Sequence, residues 1–306
     1  MKKIVFPFIA LVVILLSFIA KPKHHYISFK STEEFRGFLN RKSGDFPLIS
    51  AHRGGPMPGF PENAIETFEN ATVHQPVIIE FDVALSKDSV LVVMHDDKLD
   101  RTTTGSGPIG TYTYSELQKL KLKDNDGKVT EFKIPTLDGV LKWGKGKVIF
   151  TVDVKRGVPF AKVVEAVRKT KSESNAIIIT YNANQASEVH KLAPELMISA
   201  SARRAEDLDR LNQMGVPNNR IVAFVGTSVS DKSFFGYLKD KGITSILGTM
   251  GNLDRSAVAN PDQKVYERLL ADGANVMSTD ELILAGKQFD AYRTEKKLKF
   301  VNLSIK

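Results

Sequence analysis

The chain predicts a closed parallel (β/α)8 barrel, and three observations carry that expectation. Eight apolar, β-branched runs recur along it: Leu48–Arg53, Val77–Val83, Val148–Val154, Ala176–Tyr181, Met197–Ala202, Arg220–Val225, Thr244–Gly248 and Asn275–Thr279. Runs without polar alternation suit strands covered on both faces, as in a parallel sheet wrapped by helices. Amphipathic stretches at Phe160–Thr170, Ala186–Leu192, Ala205–Met214, Asp231–Lys241 and Gln263–Asp272 separate them, and strand alternating with helix is the pattern of an α/β barrel. Size agrees: about 25 residues set aside at the N-terminus leave about 280, enough for one such barrel.

Composition narrows the class further. Of 306 residues, 42% are hydrophobic and 25% charged, which describes a globular protein and excludes collagen, coiled coil and disordered tail. There is no cysteine, so disulfide scaffolds, thiolate zinc sites and a cysteine nucleophile are excluded. The net charge is +8, of which Lys2 and Lys3 account for two. Basic residues alternate with acidic ones, without a basic stripe interleaved with aromatics, so an anionic small molecule fits better than nucleic acid.

In chain order, Met1-Lys2-Lys3 precedes a 17-residue apolar run, Ile4 to Ala20, followed by Lys21-Pro22-Lys23. Positive charge before a hydrophobic stretch is the signature of an export signal, and the run lies at the lower limit for spanning a bilayer. Residues 1–23 are expected to be a signal peptide or an N-terminal membrane anchor, and 24–306 the barrel, exported to the periplasm or the outer face of the membrane. Ser31 to Lys42 reads as a helix, with Ser31 and Glu34 as a capping box and Phe35, Phe38 and Leu39 on one face. The first barrel strand ends Ala51-His52-Arg53-Gly54-Gly55. A helix opens near Pro61-Glu62-Asn63-Ala64-Ile65-Glu66, with Asn63 as its cap and Ile65, Phe68 and Thr72 inward. Its positive end would face the barrel mouth, an environment that favours phosphate. More than sixty residues then separate the second and third runs. They include an extra strand at Ser89–His95, a Gly/Thr-rich loop (Arg101–Thr113) and two short helices, and are read as an insertion at about 84–140 on the catalytic rim.

The polar residues within apolar strands carry the chemistry. In Val77-Ile78-Ile79-Glu80-Phe81-Asp82-Val83, Glu80 and Asp82 share one strand face. If that face is the barrel interior, their separation of about 6–7 Å implies repulsion of order 2–3 kcal/mol at an effective dielectric near 20, which a bound cation would reverse. The next strand, Phe150-Thr151-Val152-Asp153-Val154-Lys155, adds a third carboxylate, Asp153. Three carboxylate oxygens suit Mg²⁺ or Ca²⁺ better than zinc. His52 and His95, beside Arg53 and Lys155, point to phosphoester cleavage, with one histidine as base and the other as acid. A lone strand-end histidine is more often structural, and two strand carboxylates can belong to a buried ion network. It is the combination that favours chemistry. His24, His25, His74 and His190 read as structural or solvated.

These residues resemble the glycerophosphodiester phosphodiesterase family across nearly all of the chain beyond the leader. The resemblance runs through His52-Arg53-Gly54, Pro61-Glu62-Asn63, Glu80-Phe81-Asp82-Val83, His95-Asp96, Leu99-Asp100-Arg101-Thr102-Thr103, Ile134-Pro135-Thr136-Leu137 and Ser278-Thr279-Asp280. It implies a TIM barrel with a small inserted subdomain. It also implies metal-dependent hydrolysis of a glycerophosphodiester to sn-glycerol 3-phosphate and an alcohol, with one divalent cation, Mg²⁺ or Ca²⁺. By position, His52 and His95 look like the acid/base pair, and Glu80 and Asp82, with Asp153, like metal ligands. Arg53, Lys155, Glu62 and Asn63 look like substrate contacts. Two departures stand out. Asp153 replaces the family's usual Glu, and Ile246-Leu247-Gly248-Thr249-Met250-Gly251-Asn252 replaces an aromatic Trp-Thr-x-Asn-like ending, a change bearing on substrate preference. The rival expectations are phospholipase-like cleavage of a phosphoinositide or lysophospholipid through a cyclic phosphate, and a non-catalytic phosphodiester-binding envelope protein.

Overall fold

All eight apolar runs become strands of one parallel barrel in the computed structural model, which describes residues 22–40, 46–229 and 231–306. The N-terminal apolar run lies outside the described residues. In chain order the strands are β1 (His25–Ile27), β2 (Leu48–Ala51), β3 (Val77–Leu85), β4 (Leu91–Val93), β5 (Ile149–Val154), β6 (Ala176–Thr180), β7 (Met197–Ser201), β8 (Ile221–Phe224), β9 (Ser245–Gly248), β10 (Val276–Thr279) and β11 (Leu303–Ile305). The barrel order is β2-β10-β9-β8-β7-β6-β5-β3, closed by β2 pairing with β3. Closure leaves no free edge on this ring.

Strand alternation sorts the interior into layers. Leu48, Ile78, Ile149, Ile177, Met197, Val222, Ile246 and Val276 form an apolar floor. Above them, Ser50, Glu80, Thr151, Ser199 and Ser278 begin a polar layer, and His52, Asp82, Asp153 and Tyr181 stand at the C-terminal mouth. The alternate residues, Ile49, Ile79, Phe81, Val83, Phe150 and Val152, pack outward against the helices and are wholly buried. Helix Phe160–Thr170 shows the matching pattern, burying Phe160, Val163, Val164 and Val167, and it ends where Lys171 turns left-handed at φ 56°.

The helix Thr32–Leu39 plugs the N-terminal end of the barrel. Phe35, Phe38 and Leu39 pack onto the apolar floor. Ser31 Oγ accepts from Glu34 N at 3.2 Å as the capping pattern predicts, while the Glu34 carboxylate reaches back to Lys30 N at 2.6 Å. Sequence periodicity gave no sign of the neighbouring β1–β11 ribbon, whose antiparallel register pairs His25 with Ile305. His25 is therefore a strand residue rather than a loop residue, and both described termini lie at the closed end of the barrel. Glu69 ties this ribbon to the wall, accepting from Tyr26 Oη at 2.7 Å, Lys147 Nζ at 2.9 Å and Trp143 Nε1.

The insertion is built where β3 overshoots the barrel. Its last residues pair antiparallel with β4, Val83 with Val93 and Leu85 with Leu91. A separate small core, Ala84, Val92, Met94, Leu99, Ile109, Leu117, Leu122 and Ile134, holds the insertion against the rim. Helix Leu137–Gly144 belongs to the barrel wall, as Leu137, Val140 and Leu141 join the main core. The inserted segment thus ends just before residue 137.

Candidate active site

The chain turns sharply out of β2. His52 is followed by Arg53, Gly54 and Gly55, all at positive φ (51°, 88° and 72°). A Cβ on Gly54 would lie 2.2 Å from the Phe68 ring, so only glycine lets this turn approach the helix behind it. Arg53 is held left-handed although it carries a side chain, a strain found where surrounding contacts over-determine a conformation. Those contacts are present: Arg53 N donates to Glu80 Oε2 at 2.7 Å, and Arg53 O accepts from Asn63 N at 3.0 Å. Asn63, also left-handed at φ 61°, donates through Nδ2 to Asp82 Oδ2 at 2.8 Å and accepts from Asp82 N at 3.1 Å. The helix begins at Ile65 with Ala64 as N-cap and no side-chain cap. Asn63 is therefore a bridge to strand β3, not the helix cap expected from sequence.

Glu80, Asp82 and Asp153 converge as the strand spacing predicts. One oxygen from each lies within 4.8 Å of the others, and all three are buried. Burial, with Asp82 nearby, pushes the Glu80 carboxyl up to about 8. Burial also raises Asp153. Burial opposes ionisation of Asp82 too, but Lys155 and Asn63 outweigh it and hold this carboxyl below its ordinary value. Lys155 Nζ reaches Asp82 Oδ1 at 3.1 Å and Asp153 Oδ2 at 3.3 Å. The cluster fits a divalent cation, because its donors are all hard oxygens and Asp153 Oδ1 is buried without a hydrogen-bond partner.

Both histidines are oriented by carboxylates. His52 Nδ1 lies 2.7 Å from Asp280 Oδ1, and His95 Nδ1 lies 2.7 Å from Asp96 Oδ1. Burial alone would lower the His52 pKa, but the Asp280 hydrogen bond and the Glu80 charge outweigh it and leave it raised. Asp280 is held from beneath: its N–H donates to Asp254 Oδ2 at 2.9 Å, and Asp254 also accepts from Thr279 Oγ1 and Tyr266 Oη. On the other side, Asp96 accepts from Arg101 Nε at 2.8 Å, and Arg101 grips the buried Glu62 bidentately at 2.8 Å. Glu62 also receives Arg53 Nη1 at 3.1 Å. Glu62 and Asn63, expected as substrate contacts, thus have their polar atoms engaged within the protein, while Arg53 and Lys155 border the carboxylates.

His52, His95, Glu80, Asp82, Asp153 and Lys155 all line one cavity of about 200 Å³ at the C-terminal mouth. Reading by motif missed four contributors. In the sequence Asp280 stands out only as a family marker, Asp96 and Arg101 only as parts of a run, and Tyr181 only as a strand end. The Tyr181 hydroxyl donates to Asp153 Oδ2 at 2.8 Å, although 60% of the residue is exposed. A strand-end tyrosine carries no sequence signal for such a contact.

Residues 52–277 match the model of the glycerophosphoryl diester phosphodiesterase family. A glycerophosphodiester phosphodiesterase from Caldanaerobacter subterraneus is 35% identical over 158 residues, 49% of this chain and 65% of the relative. The matched stretch thus spans just under two thirds of that protein. Among solved structures, a glycerophosphoryl diester phosphodiesterase from Parabacteroides distasonis superposes with a TM-score of 0.83 at 29% identity, covering 88% of this chain and 94% of that one. An Oleispira antarctica phosphodiesterase, solved in complex with the product sn-glycerol-3-phosphate, shares the fold at a TM-score of 0.63 and 21% identity, over 80% of this chain and 97% of its own.

Proposed function

The chain belongs to the glycerophosphoryl diester phosphodiesterase family, and on that premise we propose that it hydrolyses a glycerophosphodiester to sn-glycerol 3-phosphate and an alcohol. The observation that carries this reading is the meeting, in one cavity, of two carboxylate-oriented histidines with three buried carboxylates. Hydrolysis needs a proton taken from the attacking water and one given to the departing alkoxide. With Nδ1 bound to a carboxylate, each imidazole has Nε2 to work with, as a lone pair when neutral and as a donor when protonated. One histidine takes the proton and the other supplies it, and the water's oxygen forms the new bond to phosphorus as the ester oxygen leaves.

Glu80, Asp82 and Asp153 would hold one divalent cation, Mg²⁺ or Ca²⁺, which supplies charge neutralisation at the phosphoryl oxygens when bound. Lys155 and Arg53 add fixed positive charge at the same rim, and their donors are oriented before substrate arrives. Asp153 is one methylene shorter than the family's usual Glu, but the Tyr181 hydroxyl on its Oδ2 fixes which oxygen faces the cluster.

The test is release of glycerol 3-phosphate from glycerophosphocholine and glycerophosphoethanolamine, with EDTA, Mg²⁺ or Ca²⁺. Release restored by metal and abolished in both His52→Ala and His95→Ala is expected. Metal-independent release, or full turnover in both variants, would overturn the mechanism. The leader reading adds that the enzyme is exported, soluble after cleavage or tethered through residues 1–23. Cell fractionation tests this, and recovery in the cytoplasm would refute it.

A further inference from the structure

The cavity does not end at the carboxylates. Tyr181 and Ser201, which line it, also line a second groove of about 530 Å³, formed where the chain leaves β6 and β7. Its remaining walls carry Asn182 and Asn184 on one side and Arg203, Arg204 and Arg210 on the other, against a single carboxylate, Asp207. The arginines are exposed. Asp207 is largely spent within the protein: its Oδ2 accepts from Arg203 N at 2.9 Å and its Oδ1 lies 3.7 Å from Arg204 Nε. Arg204 also lies 3.8 Å from Glu206. Among the described residues the guanidinium groups of Arg203 and Arg210 make no ion pair shorter than 4 Å, and the Arg203 side chain lies over the bare backbone of Gly226.

The opposite wall of the mouth has the other sign. There Asp280, Glu281, Asp124 and Asp126 gather beside Arg53 and Arg101, which Glu62 and Asp96 already neutralise. The mouth is thus electrically polarised across the catalytic histidines, basic toward β7 and acidic toward β10. A field of that kind orients a charged substrate as well as concentrating it.

We infer that the Arg203–Arg210 groove is a subsite for the leaving alcohol, and that it selects alcohols bearing a further anionic group, a carboxylate or a second phosphate. The inference rests on the hydrolase reading. Guanidinium groups bind both anions through paired N–H donors, and the groove's continuity with the catalytic cavity through Tyr181 and Ser201 lets one molecule occupy both.

Glycerol-phosphate dimers carry such an anion, and glycerophosphoserine carries a carboxylate beside an ammonium, whereas glycerophosphoglycerol has a neutral alcohol and glycerophosphocholine a cationic one. The full-length enzyme is expected to show a kcat/KM about tenfold higher for the anionic substrates at low salt, an advantage that shrinks as ionic strength rises. The double variant Arg203→Gln, Arg210→Gln should lose that advantage through KM and keep its rate on glycerophosphoglycerol within about twofold. A preference for the serine ester alone would assign the groove to carboxylates, and one for the dimer alone to phosphates. Equal rates on all four substrates, or a double variant that slows every substrate alike, would overturn the subsite while leaving the hydrolase reading intact. Failure of every substrate would overturn the hydrolase reading itself.

Discussion

Asp254 offers a sharp test of how the site is held, because it touches nothing in the cavity and yet supports the residue that orients His52. Its carboxylate is 4% exposed and accepts three donors at 2.9 Å: Tyr266 Oη, Thr279 Oγ1 and Asp280 N. Asp254→Ala leaves all three donors without their acceptor in a nearly solvent-free site. A buried donor left unsatisfied costs about 1–3 kcal/mol, so the three together should cost about 3–9 kcal/mol, toward the lower end if a water enters the space left. Asp254→Asn keeps one oxygen for Asp280 N and offers an NH₂ that the Tyr266 and Thr279 hydroxyls can meet only by turning round to accept, with the charge lost, and should cost about half as much. Urea unfolding followed by the fluorescence of Trp143, the chain's single tryptophan, gives both numbers. The Asn variant is the more informative for function. Loosening Asp280 frees the His52 ring, so kcat should fall at least tenfold at a temperature where the variant is fully folded, with little change in KM. A loss below 1 kcal/mol in the Ala variant, or an unchanged kcat in the Asn variant, would refute the argument that this network positions His52.

Glu80→Gln should stabilise the metal-free protein and abolish its response to metal. With its carboxyl pushed up to about 8, Glu80 must take up a proton to stay buried at neutral pH, a cost that grows as the pH rises from the unfolded value near 4.3 toward 8 and that Gln does not carry; a higher Tm in EDTA together with loss of the Mg²⁺- or Ca²⁺-induced rise checks both halves. Glu69 carries a pH dependence. Burial works to raise its carboxyl, but Tyr26, Lys147 and Trp143 outweigh burial and lower it below its unfolded value. A lowered carboxylate contributes stability above the unfolded value near pH 4.3, and loses that contribution as the pH falls through the folded value. The stability gap between wild type and Glu69→Gln should therefore be widest near pH 7 and close below pH 4; a gap that persists in acid would count against the charge. Gly54→Ala places a Cβ 2.2 Å from the Phe68 ring at φ 88°, and should cost at least about 2 kcal/mol. Thermal unfolding within a degree of wild type would show that the turn relaxes freely.

The barrel was legible in the chain because each of its strands is a local event. Val77–Leu85 and Ile149–Val154 are dominated by β-branched and aromatic residues on both faces, interrupted only by Glu80, Asp82, Thr151 and Asp153, and that composition suits a parallel strand whatever its neighbours are. The same locality revealed Glu80 and Asp82, since an i, i+2 pair shares a strand face by covalent geometry alone. Local reading failed where a residue's role depends on contacts it could equally make with distant partners. Asn63 sits where a helix cap belongs, yet Asp82, nineteen residues away, competes for its amide and takes it. Three-residue strands such as β1 and β11 lack enough repeats to show a period, and they pair across nearly the whole chain.

By itself the sequence determined the barrel, its plug helix, the rim insertion, and the two histidines and three carboxylates aimed at the mouth. Each follows from side-chain alternation, capping or apolar periodicity, which act within a few residues. The tertiary structure alone decided which carboxylates orient those histidines, that Glu62 joins Arg53 to Arg101, that Tyr181 reaches Asp153, and that arginines after β7 open a groove into the site. Ring closure is the reason. When β10 docks beside β2 it brings Asp280 to His52 across 228 residues, and no local preference in the chain encodes a meeting that exists only once the last strand completes the barrel.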